Sequence, residues 1–132
     1  MMVDNLNVSR EVTHALLNYQ NLLLKWNKAI NLISRNSEKD LWERHILDSL
    51  QLLKYIDFSE MIIDIGSGEG FPGIVLSICG VKNTVLIESD KKKSVFLAQA
   101  SKLSSNKIII VDERIDEKFN MNCDILTSRG FS

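Results

Sequence analysis

Between Val12 and Ile30 the apolar positions Val12, Leu16, Tyr19, Leu23, Trp26 and Ile30 recur in steps of three and four residues. That spacing lays one apolar stripe along a helix. Ser9 precedes it as a cap, and Glu11 stands in the first turn, where a negative charge meets the positive end of the helix dipole. The periodicity breaks over residues 31–36, which predicts a loop. Ser37, with Asp40 three residues on, reads as a capping box that opens a second helix, its core face Leu41, Trp42, Ile46, Leu50 and Leu53. After Ser59 the texture changes. Met61–Ile65 is a short β-branched run that stops at Gly66, the mark of a buried strand. Residues 84–87, 107–111 and 123–127 predict three further strands, and residues 74–79 and 94–103 the helices between them. Strands alternating with helices imply βαβ units, hence an α/β domain with a parallel sheet and helices on both faces. One domain is expected over 1–132, with a helical cap (1–58) and a sheet-bearing half (59–132).

Composition adds little to this picture except by exclusion. Hydrophobic residues make up 45% and charged residues 25%, ordinary values for a globular domain. No apolar run approaches the roughly 20 residues needed to span a bilayer, and the first residues lack the pattern of a secretory signal. Cys79 and Cys123 are in no metal-type or redox spacing, so they read as free thiols of a cytoplasmic protein. The net charge of −1 is even by halves: seven Lys/Arg against eight Asp/Glu in residues 1–60, and nine against nine in 61–132. Any nucleic-acid contact must therefore come from a local patch and not from bulk charge.

The candidate chemistry lies in Asp64-Ile65-Gly66-Ser67-Gly68-Glu69-Gly70-Phe71-Pro72-Gly73, between a predicted strand and a predicted helix. That context gives a glycine pattern its meaning: the chain must turn sharply and let a ligand approach its backbone. Pro72 suits the first turn of the helix that follows. A dinucleotide loop, G-x-G-x-x-G, would need glycine where Phe71 stands; glycines at 66, 68 and 70 match instead the G-x-G-x-G loop of Rossmann-like S-adenosylmethionine-dependent methyltransferases. Glu88, at the end of the next strand, is placed to accept hydrogen bonds from both ribose hydroxyls of a nucleoside. After the third strand, Ile115 could pack on an adenine ring and Asp116 accept from its amine; a solvated acidic loop is the alternative. A tight glycine turn with an incidental acid, or an NAD-type site, are the competing readings of the loop itself.

Three further segments carry a specific resemblance. Lys25-Trp26-Asn27-Lys28-Ala29-Ile30-Asn31-Leu32, Arg44-His45-Ile46-Leu47-Asp48-Ser49 and Ser128-Arg129-Gly130-Phe131 resemble, in order, the K-W-N-K-x-x-N-L, R-H-I-L-D-S and S-R-A-F segments of the small-subunit ribosomal RNA guanine-N7 methyltransferases, also called glucose-inhibited division protein B. The loop matches that family's G-x-G-x-G-x-P-G form as well. The resemblance implies a methyl transfer from S-adenosyl-L-methionine to guanine N7 in small-subunit ribosomal RNA. It implies a cofactor pocket lined by Gly66, Phe71, Ile115, Asp116 and Arg129, with Arg129 positioning the cofactor carboxylate or an RNA phosphate. Lys91, Lys92 and Lys93, at the positive end of a helix, would suit RNA phosphates, as would Arg44 and His45 if their helix faces the site. Otherwise Arg44 is a helix partner of Asp48, and His45 a packed core histidine. Trp26 and Trp42 read as core. In the family the sheet continues past the Ser128-Arg129 segment, so strand 123–127 is expected to be an exposed edge open to self-association, and the alternative to an enzyme is a non-catalytic nucleoside-binding module.

Overall fold

A computed structural model describes residues 2–3, 6–115 and 122–128 of the chain, with side chains from residue 8 onward. After a short antiparallel pairing of β1 (Met2–Val3) with β2 (Leu6–Asn7), helix α1 runs Arg10–Ile30. Ser9 caps α1 as expected, accepting from the Val12 N–H at 3.1 Å, and Asn31 closes it in the left-handed conformation (φ +53°). The next cap is Ser34 and not Ser37: its hydroxyl accepts from the Ser37 N–H at 3.1 Å and starts α2 (Arg35–Lys39). The expected single second helix is in fact α2, a π-helical stretch over Leu41–Ile46, α3 (Leu47–Gln51) and a 3-10 turn over Leu52–Tyr55. Asp40 ends α2 and pairs with Arg44 at 3.5 Å, so the ion pair expected between Arg44 and Asp48 goes to the preceding turn instead. Leu41, Ile46 and Leu50 are buried as expected, while Trp42 and Leu53 are only partly covered.

The sheet comprises β3 (Met61–Ile65), β4 (Asn83–Ile87), β5 (Lys107–Val111) and β6 (Ile125–Ser128), all parallel, in the order β5-β4-β3-β6. Between them lie α4 (Gly73–Cys79) and α5 (Lys91–Ser101). From β3 to β5 the strand order advances in one direction, and right-handed crossovers then put both helices on the same face. There α1, α4 and α5 share one core, with Leu16, Tyr19, Leu23, Ile74, Phe96 and Leu97 all fully buried. Cap and sheet therefore have a common core. The second face, carrying Ile63, Val85 and Ile87, is met by Ile115 and Cys123 of the return from β5 to β6; helices expected on this face are not among the described residues. β6 begins two residues later than expected because Asp124 caps the strand's entry: its N–H donates to the Met61 carbonyl (3.0 Å) and its carboxylate accepts from the Met61 N–H (2.7 Å). β6 is an edge of the described sheet, with Leu126 59% exposed. Both cysteines are free, and burial pushes the Cys79 thiol up to about 12.

Candidate cofactor site

The glycine loop is held at its start by the sheet's own hydrogen bonding and closes on itself in a turn. Gly66 and Ser67 donate their N–H groups to the Ile87 carbonyl at 2.8 and 3.2 Å, and Gly70 donates to Ser67 O at 2.7 Å. Gly68 has φ +51°, a left-handed backbone that favours glycine. A Cβ at Gly68 would meet nothing nearer than Gly66 O at 3.8 Å and Glu88 Oε1 at 4.0 Å. The chain thus leaves the space beside this backbone open. Gly70 is the opposite case: with φ +99°, its Cβ would lie 2.7 Å from both the Tyr19 hydroxyl and Ile74 Cγ1.

Glu88 locks the open side in place. One carboxylate oxygen accepts from Gly68 N–H at 2.7 Å and the other from Asp90 N–H at 2.9 Å, in a setting only 8% exposed. Asp90 in turn caps α5, accepting from the N–H groups of Lys92 and Lys93 at 2.9 and 3.1 Å. The helix that begins with three lysines is thereby tied to the acid that braces the loop. Each carboxylate oxygen has capacity for a second hydrogen bond, so Glu88 can brace the loop and still accept from a ligand. A groove of about 1040 Å³ opens here, lined by Gly66, Gly68, Glu88, Lys91, Lys93 and Ile115 among others. Lys91 pairs across it with Asp112 at 2.7 Å.

The structure does not bring every predicted residue to this groove. Phe71, expected on the pocket wall, is 1% exposed and points into the core, where it meets Tyr19 edge-on at 5.6 Å and stacks on His45 at 5.2 Å. Its peptide bond to Pro72 is cis, and Pro72 caps α4 instead of entering its first turn. His45 is accordingly packed against Phe71, and Arg44 is exposed beside Asp40; neither lines the groove, nor do Gly70 and Lys92. Asp116 and Arg129 lie outside the described residues. One residue was missed. Asp64, the only acid in the buried strand β3, is fully buried and bonds to Gly73 N–H at 3.2 Å and to the Thr127 hydroxyl at 3.0 Å. Burial pushes its carboxyl up to about 7, against the pull of the Thr127 and Gly73 hydrogen bonds. Its signal was legible: a carboxylate amid Met-Ile-Ile-Asp-Ile needs a reason to be there.

Comparison with known proteins decides the family. The model of the rRNA small subunit methyltransferase G family matches residues 12–132. The chain belongs to this family. Proteins named ribosomal RNA small subunit methyltransferase G from Rickettsia bellii (strain OSU 85-389) and Rickettsia prowazekii (strain Madrid E) are each 56% identical to it over 128 residues. The corresponding Rickettsia conorii protein is 54% identical. These alignments cover 96% of this chain and 66% of the relative, so the chain spans just under two thirds of the length of the relatives it matches.

The molecule has a second cleft, beside the glycine loop. Asp48, Ser49, Leu52, Pro72, Leu126 and Ser128 border about 480 Å³ beside the end of β6. Asp48 and Ser49 come from the R-H-I-L-D-S segment, Pro72 from the end of the glycine loop, and Ser128 from the S-R-x-F segment. Motifs separated by more than 70 residues thus converge on one cleft next to the loop.

Proposed function

We propose that this chain carries the S-adenosylmethionine site, and one wall of the guanine site, of an enzyme that methylates N7 of a guanine in small-subunit ribosomal RNA. The observation that carries this reading is the open backbone at Gly68 braced by Glu88: a cradle that a Cβ would fill, with a carboxylate at its back. The residues present fit the cofactor. Glu88 would accept from the ribose hydroxyls and Ile115 would pack against the adenine. Asp116 would take the adenine amine and Arg129 the cofactor carboxylate or an RNA phosphate. The cofactor, when bound, supplies a methyl group already activated by its sulfonium.

Guanine N7 bears a lone pair and no proton, so the chain has no proton to remove. Its contribution is alignment and exclusion of water. The cleft between Asp48 and Ser128 suits that task, with Leu52 and Leu126 as apolar walls for a base and the Asp48 carboxylate as acceptor for donors on its edge. An RNA-modifying enzyme of this kind works in the cytoplasm, and no described helix is long and apolar enough to cross a membrane. Calorimetric titration with S-adenosylmethionine and with NAD tests the first half of the reading, and preference for NAD would overturn it. Primer extension after borohydride and aniline treatment tests the second, using small-subunit RNA incubated with this chain, alone and extended to the relatives' length. Binding with no N7 cleavage by either form would leave a nucleoside-binding module and not an enzyme.

A further inference from the structure

Charge that is even along the two halves of the sequence is uneven in the fold. Residues 25–39 carry four cations and one acid, and residues 91–107 carry five lysines and no acid. These two segments hold a net +8 in a chain of net −1, leaving −9 on everything else. The helices that carry most of these cations, α1 and α5, are distant in sequence but meet in space. α1 packs against α5, where Trp26 meets Phe96 edge-on at 5.7 Å. Lys25 and Lys28 flank Trp26 on α1, while Lys92 and Lys93 stand one turn before Phe96 on α5. All nine cations are exposed except Lys93, which is half-buried, and among the described residues only Lys91 has an ion-pair partner.

A solvated helix face ordinarily mixes signs, because i,i+4 pairs of opposite charge support it and like charges oppose it. Here α1 beyond Glu11, and the whole of α5, contain no acid. Three lysines at the positive end of α5 are also unfavourable for the helix itself. Folding does not ask for this arrangement; a polyanionic partner does. Past the end of α1 the two cations Lys28 and Arg35, with Asn31 and the single acid Glu38, border a cavity of about 670 Å³. Its shape is fixed from beneath. The buried Asn27 amide donates to Glu38 Oε1 at 2.6 Å and accepts from Ile33 N–H at 2.7 Å, so the one acid of the segment is held by a neutral amide. The K-W-N-K segment thus divides its work: Trp26 and Asn27 build the packing, and Lys25 and Lys28 face solvent.

We infer that this ridge is a second RNA contact, holding sugar-phosphate backbone through Lys28, Arg35 and the exposed lysines of α5 while the reacting base is engaged elsewhere. The inference rests on the ribosomal RNA reading above. The guanidinium of Arg35 suits a phosphate by its planar fork, and the lysines act as point charges. The test compares Lys28→Gln/Arg35→Gln with Arg10→Gln/Lys54→Gln, an equal change of charge at exposed positions off the ridge. Binding to a small-subunit ribosomal RNA fragment is measured across salt concentrations, with S-adenosylmethionine affinity as the check on folding. The ridge variant should lose about tenfold in RNA affinity near 0.1 M salt, and its log affinity against log salt should flatten by roughly 1.5, as expected for two lost phosphate contacts. The off-ridge variant should stay within about twofold of the unaltered chain. A ridge variant that binds like the unaltered chain, or an off-ridge variant that falls equally, overturns the ridge and leaves the RNA reading standing. An unaltered chain that binds S-adenosylmethionine but no RNA overturns both.

Discussion

The two ends of the glycine loop answer to different masters. Around Gly66 and Gly68 the backbone faces the groove, and the space beside Gly68 is open. From Gly70 to Gly73 the same loop is buried beneath α1 and the π-helical stretch, with Phe71 between Tyr19 and His45. The Tyr19 hydroxyl donates to the Glu69 carbonyl, joining cap to loop at the boundary between the two ends. A glycine at the first end makes room for a ligand; at the second it makes room for the protein's own side chains. One sequence pattern therefore encodes binding and packing together, and substitutions can separate them.

The largest effect should come from the packed end. Gly70→Ala places a methyl 2.7 Å from two side-chain atoms on a backbone at φ +99°. A loss of about 3 kcal/mol is expected from overpacking and the left-handed backbone together, read as a shift in urea midpoint. An unshifted midpoint would mean that the cap does not press on the loop.

Asp64 sharpens the comparison from below, because it pins the start of α4 to β6 behind the loop. Its folded pKa is raised to about 7, so its ionisation opposes folding. The stability it permits is complete below the unfolded value near 3.8 and is lost as pH rises through about 7. Between pH 5 and 8 this amounts to about 2–3 kcal/mol. Asp64→Asn should remove that slope from a plot of unfolding free energy against pH. A slope equal to that of the unaltered chain would assign the pH dependence to other groups.

The smallest cost in stability belongs to the open end. Gly68→Val meets no atom closer than 3.8 Å at its Cβ, so the left-handed backbone supplies the main penalty, about 1–2 kcal/mol. Its effect should appear instead in S-adenosylmethionine affinity, which calorimetry should find lowered about tenfold or more, some 1.4 kcal/mol. Undiminished affinity in a folded Gly68→Val chain would remove the loop from the cofactor site and erase the difference between its two ends.

Local pattern alone determined a good deal of this protein. Steps of three and four located α1 and its Ser9 cap, and a β-branched run stopping at glycine located β3. The glycine spacing and Glu88 mark the groove by sequence alone. These features are readable because each depends on a short stretch of chain: a helical stripe, a cap, a strand end. What tertiary structure decided were the choices between equivalent local options. Ser34 and Ser37 can both cap; Ser34 caps α2, and the chain then takes a π-helical turn that buries Leu41 and Ile46. Phe71 has no local reason to leave the groove, but Tyr19 and His45, far from it in sequence, form a core pocket that burying an aromatic ring favours. Charge shows the same division. The lysines of α1 and α5 are plain in the sequence, yet a Trp26–Phe96 contact between helices 70 residues apart is what makes them one surface, since side-chain neighbours across a fold are set by packing and not by position along the chain.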